Sequence, residues 1–215
     1  MAPNVSLLRE LGAPQSAISH LVTHFPSMAF VTHAKFVKAV QEVKELGFDP
    51  SKALFVQAIQ AVLKLKKPMW ESKFEIFRRW GPWGWSEADT LLAFKKHPIC
   101  MLLSEEKITK AMKFLVSKSG FSSKDIAKNP VVLNLSLEKR IFPRCSVVQI
   151  LLAKDLVKND LSLATFLLPT EKWFLEKYVM RFQDNVPQLL GVYQNKMELL
   201  DVEIQSEKVG ETELL

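Results

Sequence analysis

Arginine is scarce in this chain, with six residues, and four of the six fall in two tight groups: Arg78 with Arg79, and Arg140 with Arg144. A guanidinium is planar and permanently charged, and its fork of donors can hold a phosphate through two parallel hydrogen bonds. Lysines extend both groups. Lys95 and Lys96 end one segment, Lys107, Lys110 and Lys113 recur every three residues, Lys139 precedes Arg140, and Lys177 and Arg181 stand four apart. Spacings of three and four place side chains on neighbouring positions of a helix surface, so each set reads as a stripe beside or opposite an apolar face. The chemistry on offer is polyanion binding, in which cations neutralise phosphates and release their counterions. Taken singly, each lysine reads more readily as a solvated surface residue. The four grouped arginines therefore carry most of the weight.

The charge is unevenly distributed. Residues 1–51 are balanced, with four Lys/Arg and four Asp/Glu. Residues 52–181 hold 23 Lys/Arg against 12 Asp/Glu, and residues 182–215 hold two Lys against seven acids. A basic middle with an acidic end points to a polyanionic partner for the middle. The stretch from Asp201 to Glu213 reads as a frayed acidic tail, which could cover the basic region when no partner is bound.

Other chemistries find little support. His20 and His24 are spaced to share a helix face, but no HExxH pattern surrounds them and no cysteine pair lies nearby to complete a zinc site. Cys100 and Cys145 stand in no paired spacing and read as small buried apolar residues. Neither GxGxxG nor GxxxxGK[ST] occurs, and the carboxylates are scattered. The reading is of a protein that is not an enzyme, with no catalytic residues, no metal, no cofactor and no small-molecule substrate. No run approaches the roughly 18 apolar residues that a membrane span needs. The first 30 residues hold one Arg and one acid, unlike a secretory signal or an Arg-rich transit peptide. The expectation is therefore a shortened chain, or one whose address lies elsewhere.

These residues need elements to hold them, and the chain supplies a repeat. Leu11-Gly12-Ala13, Leu46-Gly47-Phe48, Trp83-Gly84-Trp85 and Ser119-Gly120-Phe121 recur with their glycines near a period of about 36 residues. Pro26, Pro98 and Pro130 follow three of the glycines, whereas the second unit has Ala61 at the equivalent place. Each unit reads as two helices. Ser86, Ser104 and Ser122 stand where helix caps are needed, each followed by acids that suit a helix N-terminus. Apolar residues at i, i+3, i+4 and i+7 mark buried faces: Phe36, Ala39, Val40 and Val43; Phe55, Ala58, Ile59, Val62 and Leu63; and Ile108, Ala111, Met112, Leu115 and Val116. Pro143 falls inside a helix predicted over 136–153 and should kink it or split its first turn. Trp80, Trp83 and Trp85 could stack on exposed bases, although tryptophan at a helix junction more often packs between repeats. The fold class is all-α: a right- or left-handed solenoid of about five helical-hairpin units of ~36 residues, with a repeat domain over 1–197 and a tail over 198–215.

Several stretches, in order, resemble the mitochondrial transcription termination factor (mTERF) family in its expanded plant form. They are Gly47-Phe48-Asp49-Pro50; Phe77-Arg78-Arg79-Trp80 leading to Gly84-Trp85-Ser86-Glu87; His97-Pro98-Ile99; and Asn129-Pro130-Val131-Val132-Leu133 with Ser136-Leu137-Glu138-Lys139-Arg140 and Pro143-Arg144. Phe174-Leu175-Glu176-Lys177-Tyr178-Val179 and Val186-Pro187-Gln188-Leu189-Leu190 are similar to the family's closing segment. The likeness covers about residues 20 to 197. It implies a half-doughnut of repeats, each with two α-helices and a short 3₁₀ turn near the proline. It also implies a non-enzymatic protein that grips double-stranded nucleic acid on a basic concave face. The setting would be a mitochondrion or a chloroplast, in transcription termination and regulation, transcript processing or intron splicing. The chain departs from the pattern in its small number of units and in an apparent insertion over Trp80–Trp85.

Three readings follow. The first is a monomeric organellar regulator bound to duplex DNA, with structured RNA as the alternative ligand. The second is a helical-repeat scaffold for a protein partner. The third is a truncated, inactive relative. A continuous basic stripe favours the first, whereas apolar anchors in the groove would favour the second.

Overall fold

The computed structural model describes residues 1–65, 67–79, 84–158 and 160–194. Among these residues the fold is all-α, a series of helical repeats with no strand. Trp80, Trp83 and the acidic tail over 198–215 lie outside the described residues.

Helix α1 spans Ala2–Glu10, α2 Gln15–His24, α3 Pro26–Ala29, α4 His33–Glu45, α5 Ala53–Lys64, α6 Lys67–Arg78 and α7 Glu87–Lys96. Then come α8 (Glu105–Met112), α9 (Ser123–Lys128), α10 (Phe142–Ala153), α11 (Leu163–Leu167), α12 (Glu171–Phe174) and α13 (Leu189–Tyr193). The predicted caps are in place. The Ser86 Oγ accepts from the Asp89 amide at 3.1 Å while the Asp89 carboxylate accepts from the Ser86 amide at 3.1 Å, a reciprocal capping box. Ser104 caps α8 through the Lys107 amide at 3.2 Å, and Ser122 caps α9 through the Asp125 amide at 3.1 Å.

Three of the repeat glycines, Gly12, Gly47 and Gly120, stop helices with a left-handed backbone. Gly12 and Gly47 adopt φ of +78° and +83°, a left-handed conformation that costs a Cβ-bearing residue free energy. At each, the glycine amide donates three residues back and the following amide donates five back: Gly12 to Arg9 and Ala13 to Leu8, Gly47 to Lys44 and Phe48 to Val43. The same pair of bonds recurs at Asp155, whose amide donates to Leu152 while that of Leu156 donates to Leu151. Asp155 has a φ of 54° and stands 35 residues after Gly120, so it is a further stop in the series, made by a residue other than glycine.

The prolines divide the units as expected. Pro98 opens a 3₁₀ turn over Pro98–Leu102 and Pro130 another over Pro130–Asn134, while Pro26 opens the short α3. Ala61, which takes the proline's place in the second unit, lies inside an uninterrupted α5. Pro143 splits its helix: a π-helical turn over Leu137–Ile141 precedes α10. A proline has no amide to donate and its ring crowds the carbonyl four residues back, so the wider turn relieves both problems. A second π-helical stretch, Lys113–Lys118, continues α8 toward Gly120.

Packing divides the chain into two compact units, Met1–Thr109 with Ile126–Leu133, and Lys110–Asp125 with Asn134–Leu215. The first is built around Leu8, Phe36, Phe55, Ile59, Phe77 and Phe94, all at 0% exposure. Its α1 is tied in by a buried polar node: Asn4 donates to the carbonyls of Ala29 (3.0 Å) and Val31 (2.9 Å), and its oxygen meets His33 Nδ1 at 2.9 Å. The second unit is built around Leu115, Ile141, Leu151, Phe166, Phe174 and Leu189.

Candidate nucleic-acid interface

The basic residues occupy three different environments. Arg78 and Arg79 end α6 in the open. Arg78 pairs with Glu75 at 3.0 Å and Arg79 with Glu105 at 3.1 Å, with well over half of each side chain exposed. Exposed pairs of this kind contribute little to stability and exchange readily for another anion. Lys95, Lys110, Lys113, Lys139, Lys177 and Arg181 are exposed, and Lys107 is half-buried. Arg181 lies 5.5 Å from the centre of the Phe182 ring. The four-residue step from Lys177 to Arg181 crosses from a π-helical turn into a 3₁₀ turn, so it is not the α-helical face that the spacing suggests.

Arg144 requires a correction. It was expected to present its fork to a phosphate, yet it is 1% exposed. Its Nη1 donates to the carbonyls of Phe166 (2.8 Å), Leu167 (3.3 Å) and Pro169 (2.8 Å), and its guanidinium stands 4.6 Å over the Phe174 ring. Burial, then the charge of Arg140, pull its pKa below the ordinary arginine value against the opposing influence of Tyr193 and Glu171. Arg140 is half-buried and also turns inward, donating to the carbonyls of Leu168 (3.2 Å) and Pro169. The two arginines do share a face, but that face meets the carbonyls that end α11. Such carbonyls lack intrahelical partners and carry the negative end of the helix dipole, so a buried cation is satisfied there.

The same arrangement recurs in the other unit. Lys96 Nζ donates to the carbonyl of Lys128, the last residue of α9, at 3.0 Å. Lys73 donates to the carbonyl of Leu103 at the end of a 3₁₀ turn, and burial lowers its pKa against the raising effect of Glu105. Lys95 Nζ lies 3.9 Å from where a Cβ on Gly47 would stand, beside the end of α4. Part of the basic charge thus fastens helix ends about one repeat away. The sequence reading missed Lys73 because its acceptor is a backbone carbonyl 30 residues on, which leaves no side-chain signature.

The remaining candidates sort as follows. Trp85 is buried and stacked on Phe77 at 4.4 Å, the packing role expected of a junction tryptophan. Cys100 and Cys145 are buried, and burial pushes their thiols up to about 12. His20 and His24 stack on each other at 4.4 Å, and no group of three or more metal-ligating side chains occurs among the described residues. An open groove between α4 and α5 sets Lys35 and Lys38 against Glu42 and Glu45 over Val62 and Leu63, so its charges balance. No helix among the described residues is long and apolar enough to cross a membrane.

A stretch of 95 residues, 43% of this chain, is 34% identical to a mitochondrial transcription termination factor of Arabidopsis thaliana named MTERF15. The match spans 21% of that relative's length. No solved structure matches the chain. The family model for mTERF matches residues 1–175, and the chain belongs to the mTERF family.

Proposed function

We propose that this chain is a non-enzymatic nucleic-acid-binding regulator of organelle gene expression, with residues 1–197 as the binding module and duplex nucleic acid as its ligand. The observation that carries this reading is the excess of 23 Lys/Arg over 12 Asp/Glu in residues 52–181, expressed at the surface by Arg78, Arg79, Lys95, Lys110, Lys113, Lys139, Lys177 and Arg181. Family membership and a relative named as a mitochondrial transcription termination factor support it. Lysines act as point charges toward phosphate, and of the three exposed arginines in this stretch Arg78 and Arg79 lie side by side at one helix end while Arg181 stands apart. Recognition would thus rest on the backbone and shape of the ligand more than on base edges.

A salt-titrated binding assay with duplex DNA, structured RNA and single strands tests the proposal. If about five phosphates are engaged, log K falls against log salt with a slope of roughly −4 to −5 on B-DNA. A duplex DNA preference supports a role in transcription, and a structured RNA preference moves the role to transcript processing or splicing. Absence of salt-dependent binding by the folded chain removes the proposal in favour of a protein scaffold.

A further inference from the structure

One of the aromatic residues left in the open amid the basic charge is Phe142, which is 39% exposed. Its exposure has a structural cause. Arg140 and Arg144, two residues to either side, both point inward at the Pro169 carbonyl, and Ile141, Pro143 and Cys145 are buried around it. A residue midway between two inward side chains four apart is turned to the opposite side of the helix. Phe142 is therefore held outward on backbone that Pro143 stiffens and Arg140 fastens. Its ring meets that of Phe114 at 5.5 Å with a tilt of 52°, so Phe114 supports it at an angle and does not stack flat on it.

The two stretches of chain that carry this ring pair are basic. Residues 110–118 and 136–144 together hold six cations and one carboxylate, Glu138. With Arg140 and Arg144 turned inward, the surface charge falls to Lys110, Lys113, Lys118 and Lys139, all exposed. Lys110 stands four residues before Phe114, and Lys139 three residues before Phe142. An aromatic ring displayed among cations suits a ligand that pairs flat π faces with regularly spaced negative charge, which is an unpaired stretch of nucleic acid. An acidic peptide would match the charge but offers an aromatic face only where an aromatic residue happens to fall, whereas a nucleic acid carries one base with every phosphate.

Resting on the nucleic-acid reading above, we infer that Phe142, supported by Phe114 and carried on stretches that expose Lys110, Lys113, Lys118 and Lys139, is a stacking platform for an unpaired nucleotide. The platform would add single-strand capacity to a chain whose other cations track a backbone.

The test uses the full chain with a short single-stranded oligouridylate carrying 5-bromouracil, and a duplex of equal length as control. Affinities are measured for the unaltered chain, Phe142→Ala and Phe142→Trp, and photocrosslinked peptides are mapped by mass spectrometry. Thermal melts establish that the variants fold, as expected for an exposed side chain. The platform predicts a crosslink within the peptide holding Phe142. It also predicts that Phe142→Ala lowers single-strand affinity about tenfold with duplex affinity unchanged, and that Phe142→Trp restores it. Unchanged single-strand affinity in Phe142→Ala, with duplex binding intact, overturns the platform and leaves the proposed function standing. Capture of neither ligand by the folded chain overturns both.

Discussion

Two basic clusters that look alike in sequence have opposite fates in the fold. At the end of α6, Arg78 and Arg79 stand in solvent against Glu75 and Glu105. At the start of α10, Arg140 and Arg144 turn inward onto the carbonyls of residues 166–169. The difference lies in what the neighbouring element presents. An exposed carboxylate leaves an arginine available to another anion, whereas the orphan carbonyls at a helix end draw a buried cation into the structure. A count of positive residues therefore overstates the charge available to a ligand. In this chain a share of it, including Lys73 and Lys96, fastens one repeat to another.

The contrast can be broken most forcefully at Arg144. Arg144→Ala removes three hydrogen bonds and takes the Arg144 donor from the carbonyls of Phe166 and Leu167, while Pro169 keeps Arg140, so denaturant unfolding should show a loss of about 3 kcal/mol or more. Arg144→Lys should recover only part of it, because an ammonium lacks the planar fork. Asn4→Ala tests a neutral counterpart of the same device. Its two carbonyl acceptors and His33 lose their partner, at a cost of about 2 kcal/mol in the same assay. The helix stops give smaller effects of opposite sign: Gly47→Ala should cost about 1 kcal/mol at its φ of +83°, and Asp155→Gly should stabilise by about 0.5–1 kcal/mol. Arg78→Ala with Arg79→Ala should change stability by less than about 0.5 kcal/mol while lowering the salt slope of nucleic-acid binding by about two. A large stability loss there would erase the distinction between the clusters.

Much of the fold was legible because its signals are local. Ser86 with Asp89, Ser104 and Ser122 announce helix starts through a bond that spans three residues. Gly12 and Gly47 announce stops because left-handed backbone favours glycine, and Pro98 and Pro130 announce turns because proline lacks a donor. Asp155 was missed because an aspartate can occupy the same conformation without advertising it. The candidate site was less legible. The spacing of Arg140 and Arg144 correctly placed both on one face, but their acceptors are backbone carbonyls 22 to 29 residues away. Whether a face meets solvent or a helix end depends on how the next repeat packs, and that is not written in the spacing of either residue.

In the proposed function the exposed cations, and not the inward-turned Arg140 and Arg144, grip nucleic acid. The most direct measurement compares salt-titrated duplex binding by the unaltered chain, by a variant with Arg78, Arg79, Lys110, Lys113 and Lys139 changed to Gln, and by Arg144→Lys. The account predicts that the five-residue variant keeps its fold while its slope of log K against log salt collapses from roughly −4 to −5 toward zero. It predicts that Arg144→Lys, under conditions where it remains folded, keeps the full slope. A five-residue variant that binds with an unchanged slope, or a folded Arg144→Lys that loses it, would contradict the account.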